Sequence, residues 1–296
     1  MRADDFDYIR QLVRDQSALA LDAGKEYLVE SRLDPLARQE GFPSYLQMVK
    51  TLRSGPTGEL HRRVVEAMAN NETSFFRDAR AFGMISRAIL PALIAERSAA
   101  RSLHIWCAAC STGQEPYSVA MLLRECRPAL DGWDVRIVAS DISRDVLARA
   151  HAGRYTQFEV NRGLPAPLLV KYFEQQGKSW QIRPDIHRMV EFREVNLIQP
   201  WADLQGMHLI LMRNVLIYLD VPTRRTILER ANRLLDPRGY LLLGGSETTT
   251  GVVEGFEVVS LEGGVCFRPQ RGRVPNPHGT RAQLTHTSAS GIREGL

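Results

Sequence analysis

Ile105-Trp-Cys-Ala-Ala-Cys-Ser-Thr-Gly-Gln-Glu-Pro-Tyr-Ser118 decides the fold of this chain. A run of large apolar residues gives way to small ones, and Pro116 then stands where a helix opens. The stretch reads as a buried strand, a tight loop and a helix, the unit from which an α/β sheet builds a nucleotide-like pocket. A second apolar run ends on Ser140-Asp141, where such folds hold ribose hydroxyls.

The same alternation runs on both sides of that unit. Strands are predicted at Leu103–Ala109, Val135–Ser140, Met189–Val195, His208–Met212 and Tyr240–Leu243. Helices fall at Pro116–Arg124, Arg144–His151 and Pro222–Leu235, with a turn at Asp236-Pro-Arg-Gly239. A hairpin, Phe256–Leu261 with Val265–Arg268, closes the series. This is an α/β sheet covered by helices on both faces. Residues 153–188 interrupt the alternation, and Trp180–Arg183 is expected to pair with Arg188–Phe192 in a small antiparallel excursion.

Residues 1–69 carry no strand pattern. Phe6, Ile9, Leu12 and Val13 recur at helical spacing, as do Tyr27, Leu28, Leu33 and Leu36. Gly41, Pro43 and the Ser54–Gly58 turn break the helices. The boundaries expected are a helical domain over 1–69, an interdomain linker over 70–98, the main domain over 99–269 and a disordered tail over 270–296. The tail is rich in Pro, Gly, Ser, Thr and Arg.

The chain has 296 residues, 44% hydrophobic and 24% charged, with formal net charge +4. No apolar run approaches the roughly 20 residues of a membrane span, and the acidic N-terminus lacks a signal-peptide core. A cytoplasmic monomer without membrane insertion is expected. The positive excess is diffuse, so no nucleic-acid footprint emerges. Cys107 and Cys110 form one CxxC without a second ligand pair, so packing is favoured over metal and no metal site is expected.

The loop after the first strand holds Ser111-Thr-Gly113 where a dinucleotide site would carry GxGxxG, and there is no Walker sequence. A loop with a single Gly followed by Glu115 suits a ligand without pyrophosphate, of which S-adenosylmethionine is one. Five ordered stretches sharpen this: Asn71-Glu-Thr-Ser-Phe-Phe-Arg77, Ala109–Ser118, Ala139-Ser-Asp-Ile142, Arg213-Asn-Val-Leu-Ile-Tyr218 and Gly244-Gly-Ser-Glu247. Together they resemble the CheR family of chemotaxis receptor glutamate O-methyltransferases, from the helical domain to about residue 268.

The resemblance implies a Rossmann-like class I methyltransferase sheet, a small N-terminal all-helical domain and a small antiparallel β insertion near 176–188. It implies S-adenosylmethionine as cofactor, with S-adenosylhomocysteine as product, and glutamate carboxylates in chemoreceptor cytoplasmic domains as acceptors. Asn71, Thr73 and Arg77 would help enclose the cofactor, with Glu115 and Asp141 contacting it. Asn196-Leu197 would flank adenine and Arg213-Asn214 the methionine end. Arg77 and Tyr218 would lie nearest the transferred methyl, as the catalytic pair.

Three departures stand out. Gln114 occupies a position where the family often has a second acid. The helix over Tyr27–Gln39, counterpart of the basic receptor-facing helix, keeps Arg32 and Arg38 as partner contacts but carries Asp34-Pro35 between them. Gln176–Pro184 lacks the Gly-rich loop of members that bind a receptor C-terminal pentapeptide, so no such tether is expected. A methyltransferase with another target, or a non-catalytic cofactor-binding adaptor, are the alternative readings.

Overall fold

The computed structural model describes residues 1–126, 129–202 and 204–270. The tail expected to be disordered lies, from residue 271 on, outside the described residues. Four helices open the chain: α1 (Ala3–Ser17), α2 (Glu26–Gln39), α3 (Tyr45–Ser54) and α4 (Glu59–Met68). Their apolar stripes meet in a core of their own, with Ile9, Val13, Val29, Leu33, Met48 and Val64 fully buried. Ser44 caps α3 by accepting a hydrogen bond from the Gln47 N–H. Tyr27 does not join this face and is 69% exposed. It lies two residues before Val29, roughly 200° around the helix, and so on the far side.

A long helix follows: α5 (Ala79–Met84), a π-helical turn at Ile85–Ile89, and α6 (Leu90–Glu96). Then the alternation begins with β1 (Ser102–Ala108), α7 (Gln114–Glu125), β2 (Asp134–Asp141) and α8 (Arg144–Ala152). The insertion contains β3 (Arg154–Thr156), α9 (Gln157–Asn161), α10 (Ala166–Tyr172), β4 (Phe173–Gln176) and β5 (Ser179–Ile182). After α11 (Pro184–His187) come β6 (Val190–Glu194), β7 (Met207–Met212) and a 3-10 turn at Leu216–Tyr218. The described residues close with α12 (Val221–Leu234), β8 (Leu235–Leu243), β9 (Phe256–Leu261) and β10 (Gly264–Pro269).

The main sheet has the order β6-β2-β1-β7-β8-β10-β9. The first five strands are parallel, and β10 runs antiparallel to both its neighbours. All of β7 is buried, as parallel strands covered on both faces must be. Alternate residues serve the two faces. Ile105 and Cys107 join one apolar layer with Leu209 and Leu211, while Trp106 and Ala108 join the other with Ile210 and Met212.

Two expectations need correction. Trp180–Arg183 does not pair with Arg188–Phe192: β5 lies between β3 and β4, with Trp180 opposite Tyr155 and Gln175. The helical turn α11 separates the two segments, and β6 instead completes the parallel sheet with Val190 opposite Ile137. The antiparallel sheet therefore spans residues 154–182, earlier in the chain than 176–188. The Asp236–Gly239 turn lies within β8, as an irregularity between the Met207↔Leu235 and Leu209↔Tyr240 pairings. Its geometry survives locally, because the Asp236 carboxylate accepts from the Arg238 N–H at 2.9 Å.

Cys107 and Cys110 are buried, and burial pushes both thiols well above their ordinary range. Among the described residues no group of His, Cys, Asp and Glu could hold a metal ion. None of the described helices is long and apolar enough to cross a membrane.

Candidate cofactor and methyl-transfer site

Strand order reverses between β1 and β7, and in open α/β sheets ligands bind outside the carboxyl ends of the strands at such a switch point. A cleft with about 940 Å³ of empty space opens there, partly to solvent. All ten residues expected at the site line it: Asn71, Thr73 and Arg77 on one wall, Glu115 and Asp141 beneath, and Asn196, Leu197, Arg213, Asn214 and Tyr218 from later strand ends.

The loop after β1 is shaped by backbone geometry. Ala109, Ser111 and Gly113 all have positive φ, at 54°, 50° and 92°. The turn aims the Ser111 N–H at the Asp141 carboxylate, 2.8 Å away, while the Ser143 N–H reaches its other oxygen at 3.1 Å. A Cβ on Gly113 would stand 3.0 Å from the Ala150 Cβ and 3.1 Å from the Tyr155 hydroxyl. Only glycine allows both this φ and this close approach. Burial pushes the Asp141 carboxyl up, and the backbone donors oppose the shift. Each oxygen keeps lone pairs for further donors such as a ribose diol.

Arg213 is the buried cation of the cleft, its side chain 2% exposed. One Nη donates to Glu115 at 3.0 Å and the other to the Arg77 carbonyl at 2.9 Å, with Asp78 at 3.6 Å. Burial pushes the Glu115 carboxyl up while the Arg213 charge pulls it down. The carboxylates of Glu72, Glu115 and Asp141 outnumber the guanidiniums of Arg77 and Arg213 among the lining residues. Such a cleft suits an adenosine bearing a cationic sulfonium and disfavours a polyphosphate.

The interdomain segment is held against this floor. The Ser111 hydroxyl donates to the Asn71 carbonyl at 2.8 Å, and the Phe76 N–H to the Ser118 hydroxyl at 3.0 Å. Phe75 is buried in edge contact with Tyr155 and Phe173, so the insertion packs behind the segment. The helix that follows is capped by Asp78, whose side chain accepts from the Arg80 N–H. The Arg77 head donates to the Glu72 carbonyl at 2.8 Å.

Other expected residues differ in detail. The Asn196 amide donates to the Gln16 carbonyl at 2.7 Å and its oxygen accepts from the Ile198 N–H at 3.2 Å, so the side chain ties α1 to the sheet. Gln114 does not line the cleft; it is 2% exposed and accepts from the Thr112 hydroxyl. Arg32 turns inward: its guanidinium donates to the Met68 and Ala69 carbonyls at the end of α4, while Arg38 stays exposed. The carbonyls there lack helical partners, which is why a nearby arginine is drawn to them.

Several contributors carried no sequence signal. Ser17 and Leu19 line the cleft from the end of α1, and Leu19 bridges Leu219. Glu247 closes the Gly244–Glu247 stretch. Its carboxylate accepts from the N–H groups of Asn214, Gly244 and Ile217 at 2.7, 2.6 and 3.2 Å. It thereby sets the loop in which Asn214 has φ 60°. A Cβ on Gly244 would come within 2.7 Å of both Glu247 and the Asn214 amide.

Comparison with known proteins gives the same reading. Residues 4–69 match the CheR methyltransferase all-alpha domain, and residues 71–265 match the CheR methyltransferase SAM binding domain. Chemotaxis protein methyltransferase 1 of Pseudomonas aeruginosa is 38% identical over 268 residues, which are 89% of this chain and 97% of that protein. The Cher2 chemotaxis methyltransferase of Pseudomonas putida is 35% identical over the same shares. The chemotaxis protein methyltransferase of Vibrio anguillarum is 36% identical over 87% of this chain and 94% of its own. With both domains matched and relatives this similar along their whole length, the chain belongs to the CheR family of S-adenosylmethionine-dependent chemotaxis methyltransferases.

Proposed function

We propose that the chain methylates the side-chain carboxylates of glutamates in chemoreceptor cytoplasmic domains, giving glutamate methyl esters. The observation that carries this is Arg77 and Tyr218 lining one cleft with the Glu115–Arg213 pair and Asp141, without a histidine among the described residues of its walls. The one thiol there, Cys110, is held protonated by burial. A cleft whose described walls offer no imidazole suits an acceptor that needs no base. A glutamate side chain, with pKa near 4.3, is already ionised at pH 7.

The bound cofactor would supply an electrophilic methyl on a positively charged sulfur. Asp141 would accept from the ribose hydroxyls. The Leu197 side chain with the Val195–Leu197 backbone would flank adenine, and Asn71, Thr73, Glu115, Arg213 and Asn214 would enclose the remainder. Arg77 keeps N–H donors beyond the one on Glu72 and would hold the incoming carboxylate by charge-assisted hydrogen bonds. Tyr218 would orient it. The acceptor charge disappears in the transition state, so alignment matters more than tight binding.

Docking of an acidic receptor helix would use exposed Arg38 on α2, with Arg32 withdrawn to its structural role. The β4–β5 hairpin turns over Gly177-Lys178 alone, which supports the expectation that no receptor tether is clasped there. The test is transfer of labelled methyl from S-adenosylmethionine to a panel of receptor cytoplasmic fragments. Alkali-labile label that is lost when the acceptor glutamates become alanine is expected. Label that is alkali-stable, or that persists without those glutamates, overturns the reading.

A further inference from the structure

Asn70 precedes the recognised Asn71–Arg77 stretch, yet its side chain makes the hydrogen bond that bears most directly on Tyr218. The Asn70 Nδ2 donates to the Tyr218 hydroxyl oxygen at 2.7 Å. The amide cannot be turned over freely, because its Oδ1 accepts the Glu72 N–H at 3.4 Å. Exchanging nitrogen and oxygen would set a donor against that N–H.

A phenol has one hydrogen and lone pairs on the same oxygen. With a lone pair taken by the Asn70 amide, the Tyr218 O–H is left to donate elsewhere. Both residues line the cleft, so the free donor serves the cleft. An incoming carboxylate has no hydrogen to give and needs such a donor.

The backbone carrying Asn70 is itself anchored. Arg32 holds the carbonyls of Met68 and Ala69, the two residues before it. On the other wall the Tyr218 carbonyl accepts from the Ala20 N–H at 2.9 Å. Donor and acceptor are thus fixed from separate elements.

We propose that Asn70 is a positioning residue that sets the polarity of the Tyr218 hydroxyl, keeping its hydrogen available for the acceptor carboxylate. The proposal rests on the reading of Tyr218 given above. Its signature is an inequality between two variants. Asn70→Ala removes the constraint and leaves the hydroxyl free to rotate. Asn70→Asp supplies an acceptor in the same place and draws the O–H hydrogen away from the cleft.

The experiment measures kcat and KM for methyl transfer to a receptor fragment in Asn70→Ala, Asn70→Asp, Tyr218→Phe and both double variants. S-adenosylhomocysteine affinity is measured alongside, as a control for folding. Asn70→Asp is expected to lower kcat about tenfold further than Asn70→Ala, and the two should become equal on Tyr218→Phe. A gap that persists without the hydroxyl is plain charge repulsion and overturns the proposal, as does no gap at all. An unaltered kcat in Tyr218→Phe overturns the role of Tyr218 itself, whereas a lowered one with equal Asn70 variants overturns only the polarity.

A readout that needs no turnover is the ζ-carbon resonance of ¹³C-labelled tyrosine, assigned by its loss in Tyr218→Phe. It should shift further toward that of a donating phenol in Asn70→Asp than in Asn70→Ala. Identical shifts overturn the proposal even if the methyl acceptor proves to be something else.

Discussion

The Arg213 guanidinium and the Glu115 carboxylate form an ion pair at 3.0 Å on the floor of the cleft, with Arg213 almost wholly out of solvent. Removing one partner strands the other as a buried charge, which costs about 3–5 kcal/mol in such pairs. Arg213→Ala should therefore lower the midpoint of urea unfolding and abolish S-adenosylhomocysteine binding by calorimetry. Glu115→Gln should be milder in stability, since Arg213 keeps Asp78 and the Arg77 carbonyl. Equal loss in the two variants would count against this account.

Glu247 gathers three backbone N–H groups, and Gly244 leaves room for it. Glu247→Ala should cost about 1–3 kcal/mol in all, because the Asn214 and Gly244 donors are only part-buried and that of Ile217 is exposed. Gly244→Ala adds only a methyl, yet it should weaken S-adenosylhomocysteine binding to a similar degree by displacing the same carboxylate. A Gly244→Ala protein with normal affinity would show that the loop tolerates another shape.

Arg77→Ala and Tyr218→Phe should lower turnover more than cofactor affinity. Both groups are proposed to handle the acceptor, and an interaction made mainly in the transition state appears in kcat. Steady-state kinetics with calorimetry on the same preparations decide it. Parallel losses would move both residues to a cofactor-binding role.

His208 is buried on β7, where its Nδ1 accepts the His104 N–H at 2.8 Å. Burial, the Arg97 charge and His104 push its pKa down to about 4, against a partial opposing pull from Asp236. The unfolded chain takes up a proton near pH 6.5 and the folded one does not, so this residue removes stability as pH falls from about 6.5 to about 4. His208→Asn offers an amide oxygen to the same N–H and should flatten that part of the Tm-versus-pH curve. An unchanged slope would assign the acid sensitivity to other groups.

Strand, loop and helix periods were legible because a two-residue alternation or a 3.6-residue stripe is a local property. Thus β1, β2, β7 and α12 lie close to where the apolar pattern placed them. The partner of Trp180 was not legible, because short strands of similar composition offer several pairings. The α11 turn, which is local, then sends residues 188–192 into the parallel sheet. Arg32 illustrates the same limit: a charge on a helix reads as surface until the carbonyls at the end of another helix are found beside it.

By itself the sequence determined an α/β sheet with a single-glycine loop, an acidic strand end and five motifs, and so a family and a cofactor class. The sheet and its loop follow from backbone preference and hydrophobic period, which act between near neighbours in the chain, and the family from the resemblance of the five motifs. Tertiary structure alone decided that Glu247 cages Asn214, that α1 contributes Ser17 and Leu19 to the cleft, and that Asn70 donates to Tyr218. Each of these joins residues far apart in sequence. A hydrogen bond exists only when donor and acceptor come within about 3 Å, and only the packed fold brings them there.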